Sequence, residues 1–311
     1  MRFRPVSLLL FPICLTACEP ALEPGPRVNF VGSTRFNPAS RRITVAGDTI
    51  AVKVFAEAES NDAPLTRLLI KAEYQPTQLL TEYPVGYTEK DAEKSRLVYL
   101  DTLIANAREF AFQSVQPART TAGKETWTYD FTDSKGNHGV RSFFLRLGRT
   151  DSAATFHTYT VPLQAPGAFG RRSFLALREG FTLPSFSLRR LPDNQQLVDL
   201  VYVSGSTTVA PGLATAADSA LKLPWAGRRT EIRSTPLAPA TLANYSTTEA
   251  LTNVYNQYQA NSFPTPTRTG PLTKGQVLAF KTPDNRYGLL AVDNIITTGI
   301  PTLVLQVRVS K

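Results

Sequence analysis

The chain is poor in sulfur and imidazole, with 2 Cys, 1 Met and 2 His among 311 residues. A disulfide framework or a multi-site zinc protein needs more of these groups, so both classes are excluded. Neither His has a metal-ligand spacing: His138 sits in Gly136-Asn137-His138-Gly139 and His157 in a Thr-rich run, each without a second His or a Cys nearby. A nucleophilic serine would lack its base, and Val203-Ser204-Gly205-Ser206 lacks the leading glycine of a nucleophile elbow. Beyond the N-terminus no apolar run reaches about 18 residues, which excludes an internal transmembrane helix. With 42% hydrophobic and 19% charged residues the composition is nevertheless globular, and the length allows two domains.

Arg2 and Arg4 open the chain, a short apolar stretch runs from Val6 to Leu15, and Leu15-Thr16-Ala17-Cys18 closes it. Charge, short apolar run and small residues follow in the order of a secretory signal, too short to remain as a membrane span. The end of this stretch resembles the lipobox of bacterial lipoproteins. The resemblance implies that Cys18 carries a diacylglycerol thioether as first residue of the mature chain, and two or more acyl chains make such anchoring stable. Residues 1–17 are then a signal peptide, Cys14 is discarded with it, and no disulfide can form within the mature chain. Residues 18–26 form a Pro-rich tether, extended and unable to start a helix. The expected location is the cell envelope, lipid-anchored on the outer membrane.

From Arg27 on, β-branched and aromatic runs alternate with Gly, Pro, Asn and Asp, the signature of an all-β chain. Ile50, Val52, Val54 and Ala56 alternate with Ala51, Lys53 and Phe55, and Leu68, Ile70, Ala72 and Tyr74 with Leu69, Lys71 and Glu73. Phe110 and Phe112 mark a further strand. The strongest hairpin signal is Trp127, Tyr129 and Phe131 on one face, a turn at Asp133-Ser134-Lys135-Gly136-Asn137, and a return through Val140, Phe143, Leu145 and Leu147. This hairpin resembles the end of the immunoglobulin-like modules of bacterial surface lipoproteins, which implies a β-sandwich over residues 27–165 with Trp127 in its core.

Prolines and glycine in Val161–Gly167 place the domain boundary at 165/166. A second β-rich domain is expected over 166–311, with strands around Phe174, Phe181, Leu200, Val277–Lys281, Tyr287–Val292 and Leu303–Val309. One short helix is predicted, where Ser246 and Glu249 fit a capping box ahead of Leu251, Val254, Tyr255 and Tyr258. The run LTKGQVLAFKTPDNRYGLLAVDNI before a final strand resembles the C-terminal domain of Bacteroidetes-type lipoproteins that pair it with an immunoglobulin-like module. That family has no settled activity to carry over.

The second half is the basic one, with 15 basic and 8 acidic residues in 166–311 against 17 and 15 in 27–165. Three arginine pairs stand out: Arg171-Arg172, Arg189-Arg190 and Arg228-Arg229. Gathered on one face they would attract a polyanion such as an anionic glycan, while scattered they only solvate the surface. Trp225 lies in Leu223-Pro224-Trp225-Ala226-Gly227-Arg228-Arg229, where an indole beside arginine could stack on a sugar ring or could plug the sheet beneath a loop. Trp225, Arg228 and Arg229 are therefore the candidate ligand-binding residues.

Asp130, Asp133 and Asn137 resemble a calcium loop superficially, but Phe131 and Lys135 spoil its alternation and a hairpin turn accounts for them. No metal site and no cofactor are expected. Two facing carboxylates for glycoside hydrolysis need no fixed spacing in sequence, so that alternative is for the structure to answer. The reading is of a membrane-anchored, non-enzymatic lipoprotein that binds or adheres through its basic second domain. It has no specific nucleic-acid partner, and its alternative role is a glycan-binding accessory of polysaccharide uptake.

Overall fold

The computed structural model describes residues 24–36, 38–45, 48–75, 95–119, 121–149, 156–167, 170–203 and 211–311. Cys18, the apolar leader, most of the tether and the Ser204–Ser206 run lie outside these residues. Where the described chain begins, the backbone N–H of Gly25 already donates to Glu59 Oε2 at 3.0 Å, so the end of the tether is docked on the first sandwich.

Eight strands form that sandwich: β1 (Arg27–Phe30), β2 (Arg41–Ile43), β3 (Thr49–Glu57), β4 (Leu65–Gln75), β5 (Ser95–Ala107), β6 (Glu109–Pro117), β7 (Gly123–Asp133) and β8 (His138–Leu147). Period-2 alternation makes them, and Ile50, Val52, Val54 and Ala56 on β3 face Leu68 and Ile70 on β4 and Trp127, Tyr129 and Phe131 on β7 across one closed core. One sheet has the order β1-β3-β6 and the other β2-β8-β7-β4-β5. This is an immunoglobulin-like arrangement. At the β7–β8 hairpin, Asp133 Oδ1 accepts from the N–H groups of Lys135 (2.8 Å) and Asn137 (2.9 Å), and Oδ2 accepts from the Asn137 side chain (2.9 Å). Burial pushes the Asp133 carboxyl up, but these bonds win and hold it below its usual range.

Strand β9 (Phe156–Gln164) moves the expected boundary. It pairs residue for residue with the C-terminal strand, Phe156 opposite Ser310 and Gln164 opposite Thr302, so it belongs to the second half. The chain leaves the first sandwich between Leu147 and Phe156, and not at 165/166. Pro162 does not end the strand because β9 lies at the edge of its sheet, where a proline is tolerated without breaking a ladder.

The second half continues with β10 (Arg172–Ala176), β11 (Phe181–Pro184), a one-turn helix α1 (Pro192–Gln195), β12 (Leu200–Val203), β13 (Gly212–Thr215), β14 (Glu231–Thr235), helix α2 (Thr248–Gln257), β15 (Val277–Lys281), β16 (Tyr287–Ile296) and β17 (Thr302–Ser310). The sheets run β11-β10-β12-β13 and β14-β15-β16-β17-β9. Helix α2 is capped one residue later than the capping-box pattern suggests, by Thr247, whose hydroxyl accepts from the Ala250 N–H at 3.1 Å. Its Leu251, Val254 and Tyr255 cover Val277, Ala279, Leu289 and Ala291 on one face of the five-stranded sheet.

The other face of that sheet packs Leu278, Leu290, Leu305 and Val307 against Leu175, Leu200 and Leu213 of the four-stranded sheet. The far side of the four-stranded sheet then joins the first core through Phe181, Leu183 and Val201. Burial on both faces explains why every position of β11 and β13 is buried, with no alternation. A three-stranded sheet is too narrow to cover a five-stranded one, and these residues cover part of what it leaves. Phe181 meets Trp127 edge-on at 6.0 Å, and Phe186 meets Tyr99 at 5.9 Å. The two halves therefore share a core.

Candidate ligand-binding groove

The three residues singled out from sequence do not form one exposed face. Trp225 is half-buried, its ring 5.9 Å from that of Phe174 and packed on the first core, so it plugs the sheet. Arg228 turns inward. Its Nε lies 3.3 Å from Asp199 Oδ1, its Nη1 donates to the Gln196 carbonyl at 3.1 Å, and its Nη2 pairs with Asp284. Arg229 alone of the three is exposed. A planar ligand could not use all three residues together.

The same cluster holds two carboxylates. Asp199 is 0% exposed, and it also accepts from the Leu177 N–H at 2.9 Å and the Thr230 hydroxyl at 3.0 Å. Burial pushes its carboxyl up to about 7, against the pull of Arg228 and of the Leu177 N–H. Asp199 and Asp284 are thus joined through one guanidinium, and the first has no path to solvent. The arrangement is a structural clamp between the β13–β14 and β15–β16 connections. Among the described residues no group of three or more His, Cys, Asp or Glu converges as metal ligands.

The other two arginine pairs line two neighbouring cavities. Strands β5 and β6 are the edge strands of their sheets, and along the open side of the sandwich they frame a cavity of about 730 Å³. Its floor is apolar, from Leu100, Phe110, Phe112 and Phe186, and Leu103 stands on its rim 79% exposed. Arg189 and Arg190 close this end, beside the ion pair in which Arg67 Nε donates to Asp101 Oδ1 at 2.7 Å. A second cavity of about 480 Å³ shares Phe112 and Phe186 and continues along β6 to Val115. It ends at Arg171 and Arg172, next to Ile300, which is 44% exposed. The two cavities make one groove with an aromatic middle and an arginine pair at each end. From Phe110 to Val115 it spans about 17 Å, since a strand advances about 3.4 Å per residue.

The second half builds one wall. Between β11 and α1, the Ser187 hydroxyl donates to the Tyr99 carbonyl at 2.5 Å and Asn194 Nδ2 donates to the Val98 carbonyl at 2.6 Å, which covers part of the outer edge of β5. These bonds hold Phe186 in place and present Arg189 and Arg190 beyond it. Arg172 is fixed at the other end by its bond from Nη1 to the Val115 carbonyl at 2.6 Å, and burial lowers its guanidinium from the ordinary value. The arginine pairs were legible as composition. Their placement at the two ends of one groove was not, because it depends on how two sheets in different halves dock.

Two solved structures are similar to this chain. One is a DUF4466 family protein from Parabacteroides merdae, at 10% identity and a TM-score of 0.35, with 93% of this chain and 100% of that chain covered. The other is Spo0M, a sporulation control protein from Bacillus subtilis, at 10% identity and a TM-score of 0.26, with 64% of this chain and 82% of that chain covered. No family model and no curated protein matches the sequence.

Proposed function

We propose that the chain is a lipid-anchored, non-enzymatic binding module of the bacterial cell envelope, held on the outer membrane through Cys18. Its groove between β5 and β6 takes an extended, acidic segment of a partner protein. The groove carries this reading. Two edge strands set its width for an extended chain, its phenylalanines accept alternate apolar side chains, and its arginine pairs attract carboxylates at both ends. An anionic glycan would satisfy the arginines but leave the aromatic floor without apolar partners, and Trp225, the indole it would stack on, is packed against Phe174. Peptide is therefore favoured over glycan.

The test is a comparison of two fluorescent probes on the purified full chain: an eight-residue peptide alternating Leu and Glu, and a sulfated oligosaccharide of equal charge. The peptide is expected to bind at least about tenfold more tightly, and Phe112→Asp to remove that preference, because an ionised carboxylate on the floor repels the peptide and cannot bury its leucines. Equal or reversed affinities would favour the glycan-binding alternative.

A further inference from the structure

A cavity of about 250 Å³, sharing no lining residue with the groove, lies at the junction of the two halves. Arg119 from the segment after β6, Arg178 and Glu179 from the β10–β11 turn, Arg286 from the β15–β16 turn, His157 on β9 and Lys311 all line it. Four of these six are cations. Arg119 is matched by Glu125, and Arg178 and Arg286 each stand 4.0 Å from the same Asp284 oxygen, on a carboxylate that also receives Arg228. The field is felt by His157. Burial first, and then Arg119, Lys311, Arg178 and Arg286, hold its imidazole well below the ordinary value, so it adds no charge of its own.

Three of the residues that line this cavity each carry a buried polar atom with no hydrogen-bond partner among the described residues: Arg119 Nε, Arg286 Nε and Glu179 Oε2. They come from three separate segments. Arg119 is only 2% exposed, held by Glu125 and by the Tyr74 ring 3.9 Å from its Cζ, and Glu179 is 9% exposed. Burial raises the Glu179 carboxyl, opposed by Arg178 and Arg119; Arg228, Asp199 and Tyr159 also face it. Arg119 Nε and Arg286 Nε are donors, and Glu179 Oε2 is a buried carboxyl oxygen beside them. Buried polar groups are normally satisfied, and unmatched donors in a cationic cavity point to an anion.

We propose that this cavity binds an oxyanion, a phosphate or sulfate group, whose oxygens accept from Arg119 Nε and Arg286 Nε. A doubly charged phosphate or sulfate matches the four cations that line the cavity better than a singly charged carboxylate does. The volume admits either the free anion or such a group at the end of a sugar. This site is independent of the groove.

Calorimetric titration of the full chain in detergent with inorganic phosphate, sulfate, glucose 1-phosphate and acetate tests it. Phosphate or sulfate is expected to bind with a Kd below about 1 mM, and acetate about tenfold more weakly or worse. Arg286→Gln and Arg178→Gln, both at partly exposed turn positions, are each expected to weaken binding about tenfold, as loss of a charged donor does. Leu103→Asp in the groove leaves it unchanged. Glucose 1-phosphate binding as tightly as phosphate assigns the site to a sugar ester, and much weaker binding assigns it to the free anion; either supports the site. The absence of heat with both phosphate and sulfate up to about 10 mM, acetate binding as tightly as phosphate, or undiminished affinity in a folded Arg286→Gln protein would overturn it.

Discussion

Arg119 and Glu125 meet at 2.6 Å with both side chains only 2% exposed, and Glu125 turns its other oxygen to the indole N–H of Trp127 at 2.7 Å. The guanidinium lies over Tyr74 and 5.1 Å from the ring of Phe181, which reaches across from the second half. One carboxylate thus fixes an arginine and a tryptophan where the two halves share their core. Removing one partner of such a pair leaves the other charge buried and uncompensated.

Glu125→Ala is expected to lower stability by about 3–5 kcal/mol, because it strands both the Arg119 charge and the Trp127 N–H. Urea denaturation followed by tryptophan fluorescence measures this. A loss below about 1 kcal/mol, the range of an exposed pair, would show that the contact is solvated.

Asp199 gives a pH dependence with a definite sign. Its folded value is raised to about 7 by burial, while an unfolded aspartate titrates near ~3.9. A carboxyl raised in this way stabilises the fold below the unfolded value, and the contribution is lost as pH rises toward 7. Asp199→Asn cannot titrate, so its denaturation midpoint is expected to improve relative to wild type between pH 4.5 and 7.5 (about the two ends of that window). A wild-type advantage that grows over this interval would contradict the assignment.

Trp225→Ala separates packing from recognition. Loss of the half-buried contact with Phe174 is expected to cost about 2 kcal/mol of stability, while affinity for acidic peptide stays within about twofold. Thermal unfolding and peptide titration on the same sample decide it. A selective loss of binding with unchanged stability would restore Trp225 to the ligand site.

Cys18→Ala is expected to leave the two sandwiches folded and to release the protein from the membrane fraction, since lipid is the proposed anchor. Fractionation with circular dichroism on the released protein checks both parts. A variant that remains tightly membrane-bound would count against lipid anchoring.

Strand positions were readable because alternation is a local property: Ile50 to Ala56 and Trp127 to Phe131 announce their buried face within a few residues. Strand β9 is Thr-rich, but nothing local names its partner. Only the pairing of Phe156 with Ser310, across most of the second half, shows which sheet it joins. Arg190 lies 78 positions from Phe112, so the groove has no signature along the chain. Arg228 shows the opposite case. Its pairing with Arg229 in sequence suggests a shared exposed surface, yet Asp199 and Asp284, 29 and 56 positions away, draw it inward.

The most direct measurement is the affinity of the alternating Leu-Glu peptide for wild type and for a protein carrying Arg171→Glu and Arg190→Glu, at low and at physiological salt. Reversing charge at both ends of the groove is expected to weaken binding more than about tenfold at low salt, with the gap narrowing as salt screens it. Equal affinity of the two proteins at low salt would contradict recognition in this groove.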